Sequence, residues 1–245
     1  MIATDVTSGY AVLSVMGPKS REVLGAVSRA DFATAAFPFG ASKEIEIGAA
    51  IARATRITYV GELGWELYIP TEFALYVFDR ILAAGEAIGM TLAGLHAMDS
   101  LRIEKAYRHW GHDISDEDTP IEAGLMFAVK LDRQADFIGR DALLRLRDKP
   151  RTKRLAQFVL EDPQPLLYAN EPIWLGRTIV GRTTSGAYGH TLGGAIALGY
   201  VHNDGGVTAD FIKAAKFEIE VAGRRFSARA SLRPMYDPKS ERVKA

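Results

Sequence analysis

The apolar and polar positions of the first 150 residues predict strands and helices that alternate along the chain. YAVLSVM, residues 10–16, is typical of a buried strand, and Pro18 suits the first turn of a following helix. EIEIGAAIARATRITYV predicts two strands around Gly48, and the next residues predict a hairpin that turns between Gly61 and Gly64. We therefore expect an α+β domain in which helices pack on a sheet.

Two later segments have the apolar spacing of amphipathic helices. The first is predicted to begin at an N-cap, Thr71, and to end at Gly89. Its predicted apolar stripe consists of Ala74, Leu75, Phe78, Ile81 and Leu82. The second helix is predicted from Leu95 to Trp110, again with one apolar face.

The helical periodicity largely ends near Pro150, in the charged run DKPRTKR. Beyond it, short strand patterns such as RLAQFVL, EPIWL and AIALGYV are separated by glycines. We place a domain boundary there, with one domain over residues 1–149 and an antiparallel all-β barrel or sandwich over residues 150–245. The basic run has no interleaved aromatic residues, so we interpret it as a solvated linker and not as a nucleic-acid surface.

Composition narrows the classes of function. The 245 residues are 48% apolar, and 30 basic residues balance 30 acidic ones, so no net field attracts nucleic acid or an anionic membrane. The absence of cysteine excludes disulfides, thiolate nucleophiles and cysteine-based metal sites. No stretch approaches the roughly 20 apolar residues that span a bilayer. We expect a small-molecule ligand and a cytoplasmic or matrix-like location.

RITYVGELGWELYIP sets a glutamate, Glu66, inside a predicted strand. Alternation directs Glu66 and Tyr68 to one face, and Trp65 and Leu67 to the other. The turn is expected to bring Tyr59, on the preceding strand, close to Glu66 and Tyr68. An ionised carboxylate between tyrosines suits a flat ring with adjacent N–H and NH2 donors. The pattern alone favours the simpler alternative, a solvent-facing side of an antiparallel strand.

Three longer motifs carry a family resemblance. YVGELGWELY, then AMDSLRIEKAYRHWGHDISDEDTPIEAGLMFAVKL, and later TTSGAYGHTLGGAIALGYV resemble the folate-binding carboxy-terminal half of dimethylglycine and sarcosine dehydrogenases. That half is itself similar to the aminomethyltransferase, or T-protein, of the glycine cleavage system. The resemblance covers nearly the whole chain. It implies a partial aminomethyltransferase-like folate-binding fold followed by an antiparallel β-barrel, with tetrahydrofolate as the cofactor.

The resemblance also implies which residues bind the folate. They are Tyr59, which opens the Y-x-G-E-x-G hairpin, and the E-L-Y triplet Glu66, Leu67 and Tyr68, with Glu66 holding the pterin ring. Phe127 stands where an aromatic residue lines the pocket in the relatives, some of which have tyrosine there.

Two departures from the wider family affect the expected function. Met98, in AMDSLR, stands where aminomethyltransferases typically have arginine, and this favours the dehydrogenase branch. In the relatives, an FAD domain and the segment with the catalytic aspartate precede the equivalent of Met1. The catalytic residue is therefore unassigned, and we expect a fragment, a truncated product or a subunit that needs a partner. FAD is expected only in a missing domain or partner chain, because no G-x-G-x-x-G follows a strand.

The implied function is tetrahydrofolate-dependent one-carbon transfer, in which the carbon comes from a methylated amine. Two alternatives stay open within the family: a folate-binding module without catalysis, and a glycine cleavage aminomethyltransferase. A third, a folate-fold protein of iron–sulfur assembly or RNA modification, is disfavoured because those relatives share a cysteine motif.

Other motifs are interpreted as structural. RHWGHD holds two histidines and Asp113, but Gly111 interrupts the predicted helix between the histidines, and the further ligands that zinc requires are missing. The acidic run 113–119 lacks the central glycine and final glutamate of an EF-hand and is predicted to be an exposed loop. Arg102, Glu104 and Arg108 are predicted on a solvated helix face. No metal ligand is predicted.

Overall fold

The computed structural model describes residues 2–133 and 135–245. The chain divides into two compact units, the first formed by residues 1–98 with 239–245 and the second by residues 99–238. This division follows packing, whereas the boundary near Pro150 follows composition, and that boundary stays a prediction.

The first unit contains a four-stranded antiparallel sheet and two helices. Its elements are β1 (Tyr10–Met16), α1 (Ser20–Val27), β2 (Ser42–Ile47), β3 (Ala50–Thr55), β4 (Gly64–Pro70) and α2 (Ala74–Glu86). The strand order is β1-β4-β3-β2, and both helices pack against each other and against β4. Gly48 turns the chain between β2 and β3 with φ of +60°, a left-handed conformation that favours glycine. The strands predicted at 10–16 and around Gly48 are confirmed.

The apolar face of β4 forms the centre of the first core. Trp65, Leu67 and Ile69 are fully buried there, as the alternation predicts. The Trp65 ring packs edge-on against Phe32 and Phe37, with ring centroids 5.3 and 6.0 Å away. Burial of a large apolar side chain contributes about 1.5–3 kcal/mol, so this face anchors β4 firmly.

The start of α2 differs from the prediction. A 3₁₀ turn occupies Thr71–Phe73, and α2 begins at Ala74. Thr71 does not cap the helix, because its hydroxyl donates to the carbonyl of Ser8 at 2.8 Å. The buried stripe runs through Val77 and Ile81. Leu75 lies about 200° around the helix from Val77 and is exposed, so its predicted place in the stripe is wrong.

The second unit is dominated by a β-barrel. The elements that follow α2 are α3 (Leu95–Glu104), α4 (Arg140–Arg147), β5 (Lys153–Leu160), β6 (Pro172–Leu175), β7 (Thr178–Gly189), β8 (Gly194–His202), α5 (Ala209–Ala214), β9 (Phe217–Val221) and β10 (Arg224–Ser231). The strands close in the order β10-β5-β8-β7-β6-β9, and all adjacent pairs are antiparallel. The predicted antiparallel barrel is confirmed, and it is a barrel and not a sandwich.

The second predicted helix ends early. α3 stops at Glu104, and Ala106 adopts a left-handed φ of +54°. Ala106 N donates to the Ile103 carbonyl and Tyr107 N to the Arg102 carbonyl, both at 2.9 Å, which is the Schellman arrangement of a helix end. The predicted continuation to Trp110 is therefore wrong. Within the described part of the chain, no helix has the length and hydropathy needed to cross a membrane.

Candidate functional site

The sheet of the first unit has a second face, opposite the one that packs on the helices. Residues directly paired across an antiparallel ladder point to the same side, so register identifies this face. Glu66 is paired with Ser14 on β1 and Thr55 on β3, and Tyr68 with Val12 and Arg53. We call these six residues the open face. Val12 is 51% exposed, so the face is accessible in this unit.

Glu66 and Tyr68 form the polar centre of the open face. The Tyr68 hydroxyl donates to Glu66 Oε2 at 3.0 Å, and both residues are half-buried. This hydrogen bond, followed by burial, raises the pKa of Tyr68 above its ordinary value. Glu66 Oε1 accepts no hydrogen bond from residues 2–133 or 135–245. Tyr68 thus holds the carboxylate through Oε2, and Oε1 can accept hydrogen bonds from a ligand.

Tyr59 and Leu67 are placed differently from Glu66. β3 ends at Thr55, and residues 56–63, here the 56–63 loop, connect it to β4. Tyr59 lies in this loop, so its predicted place on a strand of the ladder is wrong. The Leu67 side chain is fully buried on the helix-covered face and is therefore directed away from the open face.

Phe127 belongs to the second unit. It lies in a 3₁₀ turn, Met126–Ala128, and is 78% exposed. An aromatic ring this exposed can stack on a flat ligand. Its contribution to a folate pocket stays a prediction.

A buried ionic network in the second unit was not predicted. Arg102 is 3% exposed and its partner Asp113 is fully buried, with Arg102 Nη1 2.7 Å from Asp113 Oδ2. The same guanidinium contacts Asp99 Oδ1 at 3.0 Å and donates to Ser185 Oγ at 2.9 Å. Asp113 also accepts from the hydroxyl of Thr184. The predictions of a solvated Arg102 and an exposed Asp113 are both wrong.

Glu104, the last residue of α3, and Lys105, which follows it, are buried as well. Glu104 Oε1 accepts from the main-chain N–H groups of Thr191 and Leu192 at 2.7 and 2.9 Å. Lys105 Nζ pairs with Asp237 Oδ2 at 2.8 Å. The predicted solvated position of Glu104 is therefore also wrong. These contacts bind the end of α3 to distant segments of the second unit.

The histidines of RHWGHD lie beyond the end of α3. The rings of His109 and His112 have centroids 4.5 Å apart. Among the residues that the structure describes, no three His, Asp or Glu side chains are grouped as a metal site would require.

The chain is similar to several long enzymes and to a regulatory protein. It is 42% identical over 240 residues to 4-methylaminobutanoate oxidase (formaldehyde-forming) of Paenarthrobacter nicotinovorans, covering 98% of this chain and 28% of that protein. It is 39% identical over 242 residues to mitochondrial sarcosine dehydrogenase of Homo sapiens, covering 98% and 26%. Mitochondrial pyruvate dehydrogenase phosphatase regulatory subunit of Mus musculus is 41% identical over 247 residues, covering 96% and 28%. The chain thus spans little more than a quarter of the length of each of these relatives.

A solved structure has the same fold. The crystal structure of glycine cleavage system aminomethyltransferase T from Bartonella henselae superposes with a TM-score of 0.65 at 19% identity, covering 94% of this chain and 85% of that one. The predicted aminomethyltransferase-like fold is confirmed.

Family profiles account for both parts of the sequence. The profile described as GCVT N-terminal domain matches residues 1–133, and that described as glycine cleavage T-protein C-terminal barrel domain matches residues 153–237. The first alone covers more than half of the 245 residues. The chain therefore belongs to the glycine cleavage T-protein family.

Proposed function

We propose that this chain binds tetrahydrofolate on its open face and serves as a one-carbon transfer module of a sarcosine or dimethylglycine dehydrogenase-type demethylating enzyme. The observation that carries the proposal is the half-buried Glu66 carboxylate, which Tyr68 holds at 3.0 Å through one oxygen. The similarity to sarcosine dehydrogenase supports the enzyme class.

The chemistry of the open face fits a pterin ring. An ionised carboxylate accepts hydrogen bonds from a ring N–H and an adjacent NH2, each contributing about 1.5–3 kcal/mol. Glu66 supplies that acceptor, and the exposed Val12 supplies apolar surface beside it. In this proposal Tyr59 contributes aromatic surface, and an aromatic contact from Phe127 stays a prediction of the family resemblance.

The residues of this chain act by binding and orientation. Bound tetrahydrofolate would supply nucleophilic nitrogens that accept the one-carbon unit. Glu66 orients the ring, and Tyr68 fixes the Glu66 carboxylate, so the bound ring is positioned for the transfer. FAD, the oxidant that the resemblance implies, is assigned to a separate domain or partner chain.

A binding experiment tests this proposal. The full chain is titrated with tetrahydrofolate by calorimetry, and two small pteridines are used as competitors. We expect pterin to compete, since it has the N–H and NH2 pair. Lumazine should not compete, because it has a carbonyl in place of the amino group and would set that oxygen against the carboxylate. Equal competition by both compounds would contradict recognition by Glu66.

A binding module without catalysis is a second candidate. One relative, 41% identical, carries the name of a regulatory subunit and not of an enzyme. This candidate predicts tetrahydrofolate binding with no acceleration of 5,10-methylenetetrahydrofolate formation from tetrahydrofolate and formaldehyde. Acceleration that depends on Glu66 would favour the transfer module.

Replacing Tyr68 with phenylalanine is expected to weaken tetrahydrofolate binding about threefold to tenfold. The variant loses the hydrogen bond that orients Glu66, and such a bond is worth about 0.5–1.5 kcal/mol. Isothermal titration calorimetry measures the change. Tyr10→Phe, at an exposed position of β1, is the control and should bind like wild type.

The Tyr68 substitution also has a pH signature. The pKa of Tyr68 is higher in the folded state than in the unfolded state. The contribution of the protonated hydroxyl to folding stability is therefore complete below the unfolded pKa of about 10 and is lost as pH rises through the folded-state pKa. Ultraviolet titration of the folded wild type should therefore contain one late-ionising tyrosine more than that of Tyr68→Phe. An unchanged titration and unchanged affinity would show that the hydroxyl has no positioning role.

A further inference from the structure

The chain returns to the first unit at residues 239–245, a segment that we call the strap. The main-chain oxygen of Ala245 accepts three hydrogen bonds within this unit. The donors are Arg56 Nη2 at 2.6 Å, Arg21 Nη2 at 2.8 Å and Thr34 Oγ1 at 3.1 Å. The strap is therefore attached at a defined point.

The shortest of these hydrogen bonds, at 2.6 Å, comes from a fully buried cation, Arg56. Arg56 has no exposed surface; its Nη1 donates to the Phe37 carbonyl at 2.8 Å and its guanidinium lies 5.6 Å from the Trp65 ring centroid. Burial and the nearby Arg21 charge lower the pKa of Arg56. A buried guanidinium is costly unless acceptors surround it, so the Ala245 oxygen stabilises Arg56 in place.

The strap makes a second contact with the same region. Arg242 Nη1 lies 3.7 Å from Glu62 Oε1, and the neighbouring Val243 is buried. Arg56 is the first residue of the 56–63 loop, and Glu62 is near its end. The strap thus contacts both ends of the loop that carries Tyr59.

We propose that the strap is a positioning element for the 56–63 loop and holds Tyr59 at the folate site. The folate part of this inference rests on the proposed function, whereas the coupling between strap and loop does not. Glu66 and Tyr68 lie on β4, outside the loop, so release of the strap should leave their hydrogen bond intact. The strap would then tune affinity through Tyr59 alone.

Hydrogen exchange and folate titration of an Arg242→Ala/Val243→Ala variant test the coupling. We expect amides of the 56–63 loop to exchange about tenfold faster than in wild type, which corresponds to about 1.4 kcal/mol of local stability. Tetrahydrofolate affinity should fall about tenfold with it. Lys244→Ala, which changes an exposed side chain of the same segment, is the matched control and should alter neither quantity.

The outcomes separate this inference from the proposed function. Faster exchange confined to the strap, or faster loop exchange with unchanged folate affinity, would overturn the positioning role. Faster loop exchange in a protein whose wild type binds no tetrahydrofolate would support the coupling and refute the folate function. If the double variant does not fold, Thr34→Val removes a single donor to Ala245 and should give a smaller change in the same direction.

Discussion

Replacing Glu66 with alanine is expected to lower the affinity for tetrahydrofolate about a hundredfold. The variant loses the acceptor for two charge-assisted hydrogen bonds, a loss of about 3 kcal/mol. Stability should change little, because Glu66 is half-buried on the open face and contributes nothing to the apolar core beneath β4. Titration followed by tryptophan fluorescence measures the effect, since Trp65 is the adjacent residue on the strand.

Two further variants make the Glu66 result specific. Glu46→Ala removes an exposed carboxylate of β2 that register places on the same side of the sheet as the open face. This variant should bind tetrahydrofolate like wild type. The double variant Glu66→Ala/Tyr68→Phe should be no weaker than Glu66→Ala alone, because the Tyr68 hydroxyl acts through the carboxylate. Equal affinities of wild type and Glu66→Ala would remove Glu66 from the site.

Replacing Asp113 with alanine is expected to destabilise the protein by about 3–5 kcal/mol. Arg102 would keep its buried position, lose the buried carboxylate 2.7 Å away, and retain only the partly exposed Asp99 carboxylate as an ionic partner. Removing the buried partner of a buried charge is costly. The urea midpoint of the full chain, followed by near-ultraviolet circular dichroism, measures the loss. Arg102→Met/Asp113→Leu removes both charges and should recover much of the stability.

An exposed ion pair provides the comparison for Asp113. Arg147 and Asp148 lie 3.3 Å apart with exposed side chains, and such pairs contribute about 0–1 kcal/mol. Arg147→Ala should therefore leave the urea midpoint nearly unchanged. If Asp113→Ala and Arg147→Ala shifted the urea midpoint by similar amounts, the network around Arg102 would have no special stabilising role.

The spacing of apolar and polar residues predicts those helices and strands whose positions depend on residues close together in the sequence. The alternation of β4 placed Trp65 in the core and Glu66 outside it, because side-chain direction follows from the period of a strand. The end of α3 was missed because the left-handed position is occupied by Ala106, whereas the usual sequence signal for such an end is glycine.

Determinants that are distant in sequence could not be predicted in this way. Arg102 is buried because Ser185 and Asp113 surround it, and nothing near Arg102 indicates those partners. One signal was available: five of the eight residues of MDSLRIEK are polar or charged, and polar groups that become buried require specific hydrogen-bond partners. Tyr59 was misplaced because the length of β3 depends on tertiary pairing, which ends at Thr55.

The order of strands in the first unit has a consequence for aggregation. In the described residues the barrel is closed, whereas this sheet ends at β1 on one side and β2 on the other. The β2 sequence SKEIEI carries three charges that discourage pairing with another chain, but YAVLSVM in β1 carries none. Intermolecular strand addition, and the amyloid-like growth that can follow it, should therefore start at β1, where a single lysine directed at the neighbouring chain would act as a gatekeeper.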